Sequence, residues 1–390
     1  MKNPFALLVL SLAAVTLAQP VLAIPAFARR YKVECHFCHE GYPKLNTIGQ
    51  RFKERGFRME REDDFDAAKW LATVPIILRA NVNRSFVENG DGATTSYFKG
   101  VSAGNLGTRF SYWVDDALFV NWSADDDKTL HIKPDNAWLR FDIVHGNKLY
   151  AKLGRIELDI PFTQARTPHL FSYEIYDANT GLESDSIGSY QDGLEFGGDL
   201  PGDAHWSAAL VKGRNATASE ALTDQADDFD GNVFLRLTKR VSRHRFGVFS
   251  YIGRNKLAIA PDQPFKDSIF RIGADANVWV SRLNLYGVYM YGSNSNALAT
   301  PDEPTGTGQS QSFNGGFAQA DYHLRDFLAL TLRLNVVNRP VGAGDSRESF
   351  SSLFPGAQVF LWDRLKLSFE YGFLNKQRDS FGSIQAEVAF

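Results

Sequence analysis

The sequence predicts a mainly β fold: an antiparallel transmembrane β-barrel of about sixteen strands, preceded by a small N-terminal α-helical segment. Three observations predict it. From about residue 75 apolar and polar residues alternate with a period of two, as in Leu328, Leu330, Leu332, Leu334 and Val336 against Thr331, Arg333 and Asn335. Short turns take turns with long polar connections along the chain, the wiring of an outer-membrane barrel. Finally, 44% of the residues are hydrophobic and 13% aromatic, yet no apolar run reaches the ~18 residues of a helical span. With a net charge of only −3 the chain has the composition neither of a disordered segment nor of a nucleic-acid polyelectrolyte.

In chain order, residues 1–23 read as a secretory signal peptide: Lys2 near the start, an apolar stretch from Phe5 to Leu17, and Val21-Leu22-Ala23 as a small-residue cleavage site. Residues 24–62 form the second unit. It carries Cys35-His36-Phe37-Cys38-His39, a C-x-x-C-H run holding both cysteines of the chain. Two thiols at this spacing can each add to one haem vinyl group, and the next histidine can bind the iron. A redox dithiol or half of a zinc site would use the same cysteines. His39 and the lack of further cysteines favour covalent haem c, with Cys35 and Cys38 as thioethers and His39 as the proximal ligand. After the motif, Pro43 suits a first helical position, Leu45, Ile48 and Phe52 share one helical face as haem cover, and Gly56 marks the end. Met59 is the nearest candidate for the distal ligand. His145, His205, His244 and His323, all near predicted short turns, are the alternatives, and His36 lies inside the attachment loop.

Residues 63–74 form a polar linker opened by Asp63-Asp64-Phe65-Asp66, and 75–390 the barrel. Strands are expected near 75–87, 95–104, 107–115, 134–143, 148–155, 190–199, 204–213 and 229–239, then 244–254, 267–279, 282–292, 312–323, 328–338, 350–361, 364–374 and 380–390. Each runs about 10 residues, enough for a tilted strand to cross a bilayer. A soluble β-domain would show the same alternation, but its outward apolar face would lack cover. The even strand number puts both termini on the short-turn, periplasmic side, and the chain ends Ile384, Ala386, Val388, Phe390, similar to the insertion signal of bacterial outer-membrane barrels. Arg79, Arg109, Arg140, Arg236, Arg271 and Arg333 fall on the polar face, offset by Asp275, Glu370 and Glu387. That set describes either a narrow anion-favouring pore or a mutually paired lumen. Asp125-Asp126-Asp127 and Asp227-Asp228-Phe229-Asp230 lie in predicted outside loops, as solvated faces or as collectors of hard cations.

The run Ile24-Pro25-Ala26-Phe27-Ala28-Arg29, the C-x-x-C-H motif, Pro43-Lys44-Leu45-Asn46 and Gly49-Gln50-Arg51-Phe52-Lys53, ahead of a sixteen-strand pattern, resembles the fused monohaem cytochrome-porins of the outer membrane. The best-known members are the iron-oxidising outer-membrane cytochromes of neutrophilic and acidophilic bacteria. The likeness is most specific over Ile24 to Phe57, and the barrel matches in pattern only. Residues 30–34 and Thr47-Ile48-Gly49 depart from the iron oxidisers, so the resemblance speaks more for the architecture than for iron. It implies an electron-transfer protein working between an extracellular donor such as Fe(II) and a periplasmic c-type cytochrome or other carrier, seated in outer-membrane lipid. The apolar band of such a barrel is ~25 Å tall, so a single haem connects both faces only from inside the lumen. The cytochrome segment is therefore expected to be a plug. An anion-conducting porin with a structural or sensing haem, and outward electron transfer, use the same parts.

Overall fold

The chain alternates because one face of each strand meets lipid and the other the lumen. The computed structural model describes residues 26–41, 43–59, 76–88, 90, 92–120, 135–163, 169–178, 187–212, 231–260, 263–295, 310–340, 347–361, 365–375 and 380–389. The expected signal peptide, the linker 63–74 and both aspartate clusters lie outside them. A hairpin of β1 (His39–Gly41) and β2 (Lys44–Leu45) precedes sixteen barrel strands. These are β3 (Ile76–Val87), β4 (Thr94–Leu106), β5 (Phe110–Val120), β6 (Asn136–Val144), β7 (Leu149–Glu157), β8 (Tyr190–Leu200), β9 (Ala204–Val211) and β10 (Asn232–Val241). The second half is β11 (His244–Ala260), β12 (Gln263–Val280), β13 (Leu283–Asn294), β14 (Gln311–Arg325), β15 (Leu328–Pro340), β16 (Arg347–Leu361), β17 (Leu365–Leu374) and β18 (Phe381–Ala389).

All neighbours are antiparallel, and β18 closes onto β3 from Phe381↔Val87 to Ala389↔Arg79. Closure removes both sheet edges, which a membrane demands of any β-structure. The first strand starts and the last ends at the short-turn rim, where two-residue turns such as Ser242-Arg243 and Ser281-Arg282 sit. Two boundaries differ from expectation. β11 and β12 run on as one ladder to Ala260↔Gln263, well beyond the expected ends at 254 and 267. Residues 107–109 form a turn, so Arg109 is exposed and donates to His145 Nε2 at 3.1 Å rather than lining the lumen.

The faces separate sharply. On β15, Leu330, Leu332 and Leu334 are 44%, 47% and 46% exposed, whereas Thr331, Arg333 and Asn335 are 6%, 0% and 0%. The outward band is thus apolar and uncovered, as lipid requires. Among the described residues, such inward polar side chains are buried by chain packed into the lumen. One filler is the N-terminal segment. The other is the chain after β7, which the gap between the strands expected at 148–155 and 190–199 makes an outside loop, but whose described parts fold inward: Leu158, Ile160, Phe162, Tyr173, Ile175 and Ile187 are all buried. Its short helix, Glu174–Asp177, packs on β14 and β15, with Tyr173 stacked on Phe317 at 4.1 Å. The lumen is also internally paired. Arg236 meets Asp275 at 3.0 Å, Arg79 meets Glu387 at 2.5 Å, Arg140 meets Asp142 at 2.8 Å, and Arg271 donates to Asn294 Oδ1 at 2.8 Å.

Candidate functional site

The C-x-x-C-H run is built from local rules. Helix α1 (Ala26–Tyr31) ends before a single 3-10 turn, Cys35–Phe37, closed by Cys38 N–H to Cys35 O at 3.2 Å. His39 then opens β1 opposite Leu45 in β2. Pro43 falls in the hairpin turn rather than at a helix start. Asn46 instead caps α2 (Thr47–Glu54): its Oδ1 accepts from Gly49 N at 2.9 Å. The same side chain donates through Nδ2 to Phe37 O at 2.9 Å, and Asn46 N donates to Cys38 O at 2.9 Å. One residue therefore starts the helix and holds the cysteine loop to it. A Cβ on Gly49 would lie 2.2 Å from the Cys38 carbonyl oxygen, so α2 and the loop approach as closely as backbones can.

The helix ends at Gly56 as expected. Gly56 takes φ +62°, its N–H bonds Lys53 O and Phe57 N–H bonds Phe52 O, the Schellman pattern, and the Phe52 and Phe57 rings meet at 5.8 Å. Phe57 then stacks on Trp138 of β6 at 5.9 Å and tilts against Trp113 of β5 at 5.6 Å, seating the segment on the wall. Ion pairs at the short-turn end complete the seat: Lys44–Asp321 at 2.8 Å, Arg58–Asp142 at 2.7 Å, Glu54–Arg240 at 2.6 Å and Arg51–Asp203 at 3.0 Å.

Between segment and wall lies a cavity of about 270 Å³, near the lower end of small-molecule sites, about 300–1,000 Å³. Cys35, Cys38, His39, Leu45, Phe52 and Met59 reach it from the segment, and Ile77, Val101, Trp113 and Phe360 from the barrel. Neither cysteine is in a disulfide, and burial pushes the Cys38 thiol upward. Burial lowers His39 to about 4, with backbone hydrogen bonding at Pro43 and Lys44 opposing, so its ring is neutral at pH 7, the state that binds metal. Burial raises the neighbouring Glu40 to about 7 against the pull of Lys44 and Arg243. Two thiols outside any disulfide, a neutral imidazole, a thioether and aromatic walls around one cavity fit a covalently held haem.

The cavity gathers most of the expected residues. Ile48 is the exception: it is 44% exposed and outside the lining, because the helix begins at Thr47 and turns this position outward. None of the barrel histidines lines the cavity. His145 lies in a turn, His205 Nδ1 is 2.8 Å from Asp199 Oδ1, His244 Nδ1 accepts from Trp279 N, and His323 packs on the Trp279 ring. His36 is exposed beside Glu34.

A residue that the sequence reading missed is His169, on the inward segment. Its Nδ1 is 2.7 Å from Glu370 Oε1 and its Nε2 2.9 Å from Tyr286 Oη, whose hydroxyl donates to Asp321 at 3.0 Å. Asp321 also receives Lys44 of the N-terminal segment, so one buried polar chain ties both lumen fillers together. The density of apolar residues around His169 (Leu170, Phe171, Tyr173, Ile175) was the available signal, since an outside loop has no use for it.

No family model matches this chain, and no curated protein does. Solved structures similar to it are outer-membrane barrels. OmpT of Vibrio cholerae is 10% identical with TM-score 0.53, covering 81% of this chain and 97% of that one. Salmonella typhi OmpF in complex with daunomycin is 12% identical with TM-score 0.57 over 81% and 97%, and the anion-selective porin of Comamonas acidovorans 13% identical with TM-score 0.56 over 81% and 98%. These likenesses establish a porin-like sixteen-strand fold.

Proposed function

We propose that this chain is an outer-membrane electron conduit: a barrel in which Cys35 and Cys38 would hold one haem c covalently and His39 and Met59 would bind its iron. Electrons pass from an extracellular donor such as Fe(II) to a periplasmic carrier such as a c-type cytochrome, with both chain ends on the periplasmic side. The observation that carries this reading is a C-x-x-C-H run lining a cavity inside a barrel whose described inward side chains are largely buried. When bound, the haem supplies a one-electron centre tuned by burial and axial ligation. The chain's own residues do the rest. Asn46 and Gly49 fix the cysteine loop on α2, Phe52, Phe57 and Trp113 exclude water, and His39 stays neutral. The Lys44–Asp321 and Glu54–Arg240 pairs hold the segment so that solutes do not bypass it.

A second reading is an anion-conducting porin with a structural or sensing haem. The wall shared with a porin described as anion-selective favours it, as do the lumen arginines. Two experiments separate the readings. Ferrous iron added anaerobically to the air-oxidised, detergent-purified protein gives sharp reduced c-type bands under the first reading. Bands that appear only with dithionite argue for outward flow or a non-redox haem. In planar bilayers the conduit is closed, and a steady ion-selective current identifies a porin.

A further inference from the structure

A second, smaller cavity of about 80 Å³ lies on the other side of the hairpin, between the N-terminal segment and strands β10 to β12. Glu40, Leu45 and Lys53 border both cavities, so the two adjoin. What distinguishes the small one is its lining: Lys44, Lys53, Arg240, Arg243 and Arg245 bring five cationic side chains to a space a few ångströms across. Three of these have carboxylate partners outside the lining: Asp321 for Lys44, Glu157 for Lys53 and Glu54 for Arg240. Arg243 and Arg245 have aromatic supports instead, lying over Trp279 at 4.8 Å and Phe162 at 5.6 Å. The Nε atoms of Arg240 and Arg245 are buried without a hydrogen-bond acceptor. A guanidinium held on a ring with a buried N–H lacking an acceptor carries a standing desolvation cost, which an incoming oxygen would remove.

The start of α2 points the same way. Thr47 lines this cavity, at the N-terminus of an eight-residue helix. Asn46 satisfies Gly49 N–H by side chain and Gln50 N–H by backbone, which leaves the Thr47 and Ile48 N–H groups with no acceptor inside the helix. Helix N-termini attract anions through these N–H groups and the helix dipole. Two carboxylates also line the space: Glu40 interacts electrostatically with Lys44, Arg243 and Arg245, and Asp159 with Lys53, Arg245 and Arg236, the last at 3.3 Å, so the five cations still outnumber them.

We infer that this cavity is an oxyanion site, in which Arg243, Arg245, Arg240 and the α2 N-terminus bind a phosphate- or carboxylate-type group at the seam between the N-terminal segment and the barrel. Two sources have this chemistry: free inorganic phosphate from the periplasm, or a haem propionate reaching across from the adjoining cavity. The second source rests on the haem reading above. The first does not, because the cations and the helix start belong to the chain alone.

The test uses the full-length protein purified in detergent, with covalent haem counted separately by its pyridine haemochrome. Equilibrium dialysis against radiolabelled inorganic phosphate is compared among wild type, Arg243→Gln, Arg245→Gln and Lys239→Gln, a rim lysine outside the cavity lining. Retained heat-modifiable gel mobility reports a folded barrel for each. If free phosphate is the ligand, one phosphate binds per chain, each arginine variant weakens it about tenfold or more, and Lys239→Gln leaves it unchanged. If a propionate fills the site, haem-loaded protein binds no phosphate, and Arg245→Gln shifts the pH dependence of the midpoint potential. The inference is overturned if phosphate binds equally to all variants, if Lys239→Gln weakens it as much as Arg245→Gln, or if no phosphate binds and the potential does not respond. A chain without haem that still binds phosphate at the arginines would sink the conduit but leave this site standing.

Discussion

Replacing Lys44 by Met tests whether the N-terminal segment is locked in the lumen. Lys44 Nζ lies 2.8 Å from Asp321 Oδ2, donates to Asn284 and sits 3.9 Å from the centre of the Tyr286 ring. Both ion-pair side chains are buried, at 6% and 3% exposure, so the variant strands a carboxylate inside the barrel. Removing one partner of such a pair costs about 3–5 kcal/mol. Asp321 keeps the Tyr286 hydroxyl at 3.0 Å and the Gln319 amide at 2.7 Å, which puts the cost at the lower end, about 3 kcal/mol. That raises the undocked fraction of the segment roughly a hundredfold. Brief proteolysis of the reconstituted protein, with cleavage in 26–59 followed by mass spectrometry, reads this fraction directly. Lys44→Met/Asp321→Asn removes the stranded charge and is expected to recover about half of the loss. Cleavage of Lys44→Met at the wild-type rate would refute the lock, and a double variant no better than the single would refute the stranded-charge explanation.

Three further outcomes follow from the same geometry. Gly49→Ala gains about 1 kcal/mol from helix propensity alone, yet its Cβ meets the Cys38 carbonyl at 2.2 Å, so the net effect is destabilising by about 1–2 kcal/mol, with less haem attached per chain; a more stable, fully loaded variant would contradict the close approach. Glu40 has a carboxyl raised by burial from 4.5 to about 7, so between those values the folded chain binds more protons than the unfolded one and stability falls as pH rises, with the penalty complete above 7. Glu40→Gln should therefore stabilise the segment by about 1–2 kcal/mol at pH 8 and change little at pH 4, checked by the same proteolysis; equal effects at both pH values would count against it. Met59→Ala should give high-spin bands in the visible spectrum and a lower midpoint potential, and an unchanged low-spin spectrum would remove Met59 as axial ligand.

The barrel was legible because its period-two alternation runs through nearly every strand, and because short turns such as Ser242-Arg243 and Ser281-Arg282 stand out against long connections. That Cys35, Cys38 and His39 share one cavity was legible because the three lie within five consecutive residues. What the sequence concealed were places where tertiary contact decides. Asn46, not Pro43, starts the helix, since its side chain also holds the Phe37 carbonyl, and that shift turns Ile48 out of the cavity. Arg109 looked like a strand residue, but the three-residue turn at 107–109 puts it on the rim. The segment after β7 looked like an outside loop by its length. Its burial depends on partners from β14, β15 and β17 (Phe317, Arg333 and Glu370) that no local pattern points to.

The central claim is that electrons, and not solutes, cross this barrel. The most direct measurement is made on liposomes holding the purified protein, with oxidised cytochrome c trapped inside and ferrous iron added outside under anaerobic conditions. The account predicts reduction of the trapped cytochrome at a rate proportional to incorporated haem, abolished by His39→Ala, with no leak of a trapped small anion. Leakage of the anion without reduction of the cytochrome would contradict it.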